Sequence, residues 1–439
     1  VKIVLIAYHF PPSTAVGGLR AYGLAHHLSS DADVIVITAA APTSQASEGF
    51  RVITVNARPM AARLREFLRL DRGNPGEQSA TRPQRQTVGL NRPTHALRRM
   101  MRFMKWWLYI PDEQRGWARR AAGAVLALGL SESDVLISSS PPFSAHLAAM
   151  WGMRRGPRPL WIADFRDLLT AGPYYWMHGR TRMRALVDRH LESRVMRTCD
   201  AVVVTSDHSR AILAETNRVQ AYVVRNGYQD FKGVPSPIPG RRRDPSGALT
   251  FIHAGTLYAG ERDSSLFLAA LSSLVESGDL DASQVRVEFY GPDSEAVQPP
   301  AKRHRLEAVV SSHPPTDHAT IMSKIGRADV LLLIQSEEES TKGAIPAKLF
   351  EYLPLRKPIL AIGVQPESEV AEILRTTHAG VCLQSTSHAT EVLRSLTTEL
   401  TQTGMLLVHT QESVVSDYSQ RTMTQHFHEI IDQVRGSGR

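Results

Sequence analysis

Val1-Lys2-Ile3-Val4-Leu5-Ile6-Ala7-Tyr8 opens the chain. The breaker-rich His9-Phe10-Pro11-Pro12-Ser13-Thr14-Ala15-Val16-Gly17-Gly18-Leu19-Arg20 follows, then the helically periodic Ala21-Tyr22-Gly23-Leu24-Ala25-His26-His27-Leu28. An apolar run without polar alternation reads as a strand buried on both faces, the kind found in parallel sheets covered by helices. The Gly17-Gly18 pair lets backbone N–H groups come close to a ligand, and the helix start after it adds partial positive charge, so this unit suits a phosphate. It is not G-x-G-x-x-G, and no acidic residue stands where a dinucleotide ribose needs one, which disfavours a nicotinamide enzyme.

The same reading extends outward. Further short aliphatic runs at Val34–Ala39, Val135–Ser138, Leu160–Ala163, Ala201–Thr205 and Tyr222–Val224 are separated by helix-length segments. A Pro/Gly/Arg-rich stretch, Val234 to Pro245, then precedes a second series at Leu249–Ala254, Val285–Tyr290, Ala308–Val310, Val330–Ile334, Pro358–Ile362 and Gly380–Leu383. The pattern predicts an α/β protein of two doubly wound, Rossmann-like domains, residues 1–230 and 231–409, joined by that linker. A terminal helix is expected within 410–439. Two open sheets in tandem place a cleft between their strand C-termini, where such sheets bind ligands.

Composition bounds the function. With 439 residues, 42% apolar and 21% charged, disorder, collagen and coiled coil are excluded. Cys199 and Cys382 are the only cysteines, so there is no disulfide framework and no thiolate metal site. The formal charge of +8 points to anionic partners. No apolar run approaches the roughly 20 residues of a membrane span, and the N-terminal residues lack a secretion signal, so a cytoplasmic location is expected. Between Arg51 and Arg120 stand sixteen basic residues against five acidic. This is read as a basic insertion at about 58–110. Its last part, residues 97–110, is either a core helix with a solvated basic face or a peripheral membrane contact. No nucleic-acid-binding motif accompanies it, and no nucleic acid partner is expected.

Chemistry-bearing residues gather at the expected strand ends. Asp164-Phe165-Arg166-Asp167 puts two carboxylates and a guanidinium after one strand, where they either serve a reacting hydroxyl or brace the loop as an ion pair. His146 follows the Ser138–Ser140 strand end and falls inside the next helix, where its residue-level reading is a hydrogen-bonded structural histidine. In the second half, Phe251-Ile252-His253-Ala254-Gly255-Thr256-Leu257-Tyr258 leads to Arg262, whose guanidinium matches phosphate oxygens. The segment Lys342-Gly343-Ala344-Ile345-Pro346-Ala347-Lys348-Leu349-Phe350-Glu351 then enters a helix with Lys348 and Glu351 on nearly one face. One cation for a diphosphate and one carboxylate for a ribose diol form a nucleotide-diphosphate site, or else a surface ion pair.

Taken together, Gly17-Gly18 with Arg20, the Asp164–Asp167 loop, Arg225-Asn226-Gly227-Tyr228, His253–Tyr258 and Ile345–Leu353 resemble retaining glycosyltransferases of the GT-B fold, glycosyltransferase family 4 (group 1), in the family's order over most of the chain. The resemblance implies two Rossmann-like domains facing across a cleft, with the C-terminal helix returning to the N-terminal domain. It further implies transfer of a hexosyl or N-acetylhexosaminyl group from a UDP- or GDP-sugar to an acceptor hydroxyl, with retention, no cofactor and no metal. The carried-over donor side comprises Gly17, Gly18, Arg20, Gly255, Thr256, Lys342, Ile345 and Glu351. Arg262, Lys348, Asp164 and Asp167 are the catalytic set, and Arg166 and His146 face the acceptor, a small molecule or a lipid-linked glycan.

Three positions depart from that family. Gly343 stands eight residues before Glu351, where relatives carry a glutamate, and Glu337, Glu338 and Glu339 have other spacings. Phe267 replaces a lysine five residues after Arg262, and Arg166 replaces a histidine. Two other activities fit the same fold: a UDP-sugar 2-epimerase-like isomerase and a catalytically altered nucleotide-binding relative.

Overall fold

The computed structural model describes residues 1–13, 16–39, 49–56, 109–154, 156–171, 181–217, 219–230, 248–257, 262–291, 294–336, 343–404, 406 and 410–437. Most of the basic insertion, the 234–245 linker, Lys342 and Glu337–Glu339 lie outside them. Contacts divide the chain into two compact units, Val1–Val203 and Val204–Ser437. This division falls before the 230/231 boundary expected from the linker's composition.

The first parallel sheet has seven strands: β1 (Lys2–Ala7), β2 (Asp33–Thr38), β3 (Arg51–Thr54), β4 (Val135–Ser140), β5 (Leu160–Phe165), β6 (Ala201–Val204) and β7 (Tyr222–Val223). Their order is β3-β2-β1-β4-β5-β6-β7. Helices α1 (Val16–Leu28), α2 (Arg115–Ala127), α3 (Ser144–Gly152), α4 (Arg182–Thr198) and α5 (Asp207–Thr216) connect them. The six-residue strands β1, β4 and β5 are buried almost end to end, as continuous aliphatic runs require. In the paired registers Ala7 lies opposite Ser139 and Ser139 opposite Asp164, so one row crosses the sheet at its C-terminal edge.

The second sheet runs β10-β9-β8-β11-β12-β13. Its strands are β8 (Leu249–Ala254), β9 (Val285–Tyr290), β10 (Val310–His313), β11 (Val330–Ile334), β12 (Ile359–Ile362) and β13 (Gly380–Leu383). Its helices are α6 (Ser265–Glu276), α7 (Ser294–Arg303), α8 (His318–Ile325), α9 (Ala347–Tyr352), α10 (Glu369–Thr377), α11 (Thr386–Thr403), α12 (Glu412–Ser416) and α13 (Gln420–Gly436). One core packs Phe251, Phe267 and Phe289 beneath α6 and α11, and a second packs Phe350, Tyr352 and Leu374 on the other face. Phe267, where the resembled family has lysine, is fully buried in the first of these cores. Its aromatic ring makes an edge contact with Phe251.

Twelve of the thirteen strands overlap the expected runs, β10 only at Val310. The sequence reading missed β3 and shifted β10 by two residues. Both are edge strands, and Arg51-Val-Ile-Thr54 and Val310-Ser-Ser-His313 lack the unbroken apolar run of a central strand. The expected terminal helix is broken at Asp417–Ser419. There the Tyr228 N–H donates to the Tyr418 carbonyl and the Gln420 N–H to the Tyr228 carbonyl, at 2.8 and 2.9 Å. Gly227 lies against the Ser419 backbone, with no room for a Cβ.

Candidate functional site

In the second unit, β8 hands over to Gly255, whose N–H donates to the Tyr290 carbonyl at 2.7 Å and whose φ is 126°. Only glycine takes this backbone without strain. A second constraint is spatial, because a Cβ at 255 would overlap Nζ and Cε of Lys348. Lys348 reaches this place from α9, which is pinned to the strand end by the Ala254 N–H donating to the buried Tyr352 hydroxyl at 3.1 Å. Arg262 comes back to the same spot, its Nη1 donating to the Thr256 carbonyl at 2.9 Å. Burial above all, and the nearby Arg262 charge, push the Lys348 ammonium down to about 8, with Glu351 opposing. Two cations brought together in a half-buried place repel one another, and an anion lying between them turns that cost into attraction.

Glu351 lies on the same short helix. Its Oε1 is 3.2 Å from Nε2 of His318, the first residue of α8, and this hydrogen bond raises the imidazole's pKa against the effect of burial. The sequence reading gave His318 no role. It follows a breaker-rich stretch (His313-Pro-Pro-Thr-Asp317), and no motif marks it. His253 is internal, with Nδ1 3.0 Å from the Leu332 carbonyl oxygen, so Nδ1 carries the proton. Burial, then the Lys348 charge, lower it to about 3. Gly343 faces His208 of α5, whose imidazole occupies the space a Cβ would take. The His208 N–H donates to Glu369 at 3.0 Å, and Glu369 also pairs with Arg225 at 2.8 Å. A larger residue at 343 therefore has to displace His208. Ile345 packs partly buried against the second core, and the Ala344 carbonyl accepts from the Gln335 amide at 2.9 Å.

In the first unit the acidic loop is sorted into an internal pair and an outer one. The Arg20 guanidinium grips Asp164 with two bonds of 3.0 and 2.9 Å, and the in-register Ser139 hydroxyl donates to Asp164 at 2.8 Å. Both side chains are almost wholly buried. This corrects the expectation that Arg20 touches the donor and Asp164 the reacting groups: they brace α1 against β5. His146 is likewise corrected. It is 0% exposed, with its ring nitrogens 2.8 and 2.9 Å from the Ser138 and Ser140 hydroxyls, and burial lowers it to about 3. It is therefore neutral and beyond an acceptor's reach.

Arg166 and Asp167 are the accessible members. Arg166 Nε donates to the Ser140 carbonyl at 3.1 Å, and its guanidinium lies directly over Gly17, where a Cβ would overlap it. Gly17 thus makes room for a cation, while Gly18 packs against Phe10 and the Ser13 carbonyl. Asp167 is open to solvent, yet the surrounding protein raises its carboxyl, with Arg166 opposing. His9, two residues beyond the end of β1, joins them: burial and the Arg166 charge lower its imidazole. The sequence reading passed over His9, although its place at the C-terminal end of the first strand was the available signal. Of the expected residues, Gly17, Arg166 and Asp167 come together in the first unit, and Gly255, Thr256, Arg262, Lys348 and Glu351 in the second. Lys342 is outside the described residues. Among the described residues no helix is long and apolar enough to cross a membrane.

No family model and no curated protein matches the chain in sequence. Solved structures match it along its whole length. A sucrose-phosphate synthase from Thermosynechococcus elongatus superposes with TM-score 0.60 at 12% identity, covering 100% of both chains. An α,α-trehalose 6-phosphate synthase from Burkholderia multivorans gives 0.60 at 13% identity over 99% of this chain and 97% of its own. A glycosyltransferase from Rickettsia africae gives 0.55 at 12%, over 99% and 98%. At such identity the likeness establishes the fold, two Rossmann-like parallel-sheet domains of the GT-B type.

Proposed function

We propose that the chain is a glycosyltransferase that moves a hexosyl or N-acetylhexosaminyl group from a UDP- or GDP-sugar to an acceptor hydroxyl, with retention and without a metal ion. The observation that carries this reading is the convergence of Lys348 and Arg262 at Gly255, with Glu351 on the same helix as Lys348. The names of the matching structures, synthases of sucrose phosphate and trehalose 6-phosphate and a glycosyltransferase, support it.

In this reading the second unit holds the donor. Arg262 and Lys348 take the diphosphate, Glu351 takes the ribose, and the Gly255 backbone lets the phosphates approach. As the bond from the anomeric carbon to the diphosphate oxygen breaks, negative charge grows on the leaving group, and the two fixed cations stabilise it. The acceptor hydroxyl attacks on the face the leaving group vacates, and its proton passes to the departing diphosphate oxygen. In the first unit, Arg166, Asp167 and His9 serve the acceptor. A panel of nucleotide sugars, assayed with acceptor hydroxyl compounds in a chelator, tests the reading. The expected result is release of one nucleoside diphosphate together with a glycoside of unchanged anomeric configuration by NMR. Inverted product, or sugar isomerisation without acceptor, would overturn it.

A further inference from the structure

Helix α4, Arg182-Met-Arg-Ala-Leu-Val-Asp-Arg-His-Leu-Glu-Ser-Arg-Val-Met-Arg-Thr198, carries charge of one sign on its open side. Arg182, Arg189, Arg194 and Arg197 are exposed along one face, around Met183 and Leu186, each 64% exposed. The two acidic residues of the helix are buried on the opposite face and already engaged. Asp188 binds Arg184 at 2.8 Å, and Glu192 accepts from the Leu169 N–H at 2.6 Å and from Thr170. Arg184 also donates to the Pro111 carbonyl at 2.6 Å, so the inner face is fixed to the unit. Among the described residues, Arg182, Arg189 and Arg194 have no ion-pair partner, and Arg197 donates to the Ser193 carbonyl of its own helix.

We infer that this face of α4 is a docking surface for an anionic lipid bilayer. Four guanidinium groups with no counter-charge among the described residues seek anions, and arginines flanking exposed apolar side chains are the arrangement that lies in a headgroup layer, with the apolar groups dipping below it. A nucleic acid offers phosphates but nothing for Met183 and Leu186 to enter, and large exposed apolar groups have nothing to gain beside a polar polyanion. The inference is independent of the proposed catalytic activity, and its readout is partition rather than turnover.

The test is flotation of the full chain with phosphatidylcholine vesicles, with and without phosphatidylglycerol, at low and high salt. Binding is expected only with the anionic lipid and is expected to weaken with salt. Replacing Arg189 and Arg194 by serine is expected to weaken it about fivefold per arginine removed, while Arg189→Lys with Arg194→Lys retains it. Leu186→Ser with Met183→Ser is expected to weaken it as well, at unchanged charge. All four substituted positions are exposed, so the melting temperature should stay put. Absence of binding to anionic vesicles at low salt would overturn the inference. So would binding that survives the serine variants, or a labelled oligonucleotide captured through the same arginines while vesicles are not.

Discussion

Lys348 concentrates the chemistry of the second unit. Its ammonium is held down to about 8 by burial and by Arg262, so the free site releases a proton within reach of neutral pH. A diphosphate between the two cations favours the protonated form and lifts that value. Nucleoside diphosphate affinity is therefore expected to be steady below about pH 8 and to fall up to about tenfold per unit above it, while Lys348→Arg flattens the curve. Calorimetric titration across pH checks this, and a wild-type curve level through pH 9 would contradict it. Two buried imidazoles titrate in the opposite sense. His146 and His253 sit at about 3 in the folded chain against about 6.5 when unfolded. Below pH 6.5 the unfolded state takes up protons that the folded state refuses. Stability should thus drop by about 1.4 kcal/mol per unit for each histidine as pH falls from 6.5 toward 3. His146→Gln should shallow that slope in denaturant melts, and an unchanged slope would show that His146 is not held neutral in the folded chain.

At the scale of elements, the brace between α1 and β5 shows why charged loop residues mislead. Asp164→Ala strands the Arg20 guanidinium in a dry place and is expected to cost about 3–5 kcal/mol, whereas Arg20→Met with Asp164→Leu should recover most of it. Urea melts of the two variants separate a brace from a solvated pair. Equal, small losses would mean that water reaches the site. From sequence alone, Asp164 and Asp167 look alike, since both follow the same strand. Only the register, with Asp164 opposite Ser139 and within reach of Arg20, decides which one turns inward. The strands themselves were legible because doubly buried parallel strands must be continuously apolar, and β8, β9 and β11 fall on the expected residues. The shifted β10 and the break before α13 were not. An edge strand needs little apolar burial, and the break depends on the distant Tyr228 backbone.

At the scale of the whole molecule, the net charge of +8 is resolved into places. Arg262 with Lys348, Arg166 over Gly17 and the open face of α4 are three separate cationic features, each within one compact unit. Composition could say that anions are bound, but not where, because surface arginines and site arginines count alike in a sum. The motif around Lys348 was legible since a Gly–Pro loop entering a helix fixes its neighbours locally. The Lys348–Gly255 approach spans residues far apart in the chain and was not. The most direct measurement is isothermal titration of UDP and of GDP, in a chelator and in magnesium, into the wild-type chain and its Lys348→Met and Arg262→Met variants. One nucleotide should bind the wild type equally in both buffers, and each variant should bind it roughly 10–100-fold more weakly, the loss of one charged hydrogen-bonding group. Binding unchanged by either substitution, or strictly dependent on magnesium, would contradict the paired-cation site.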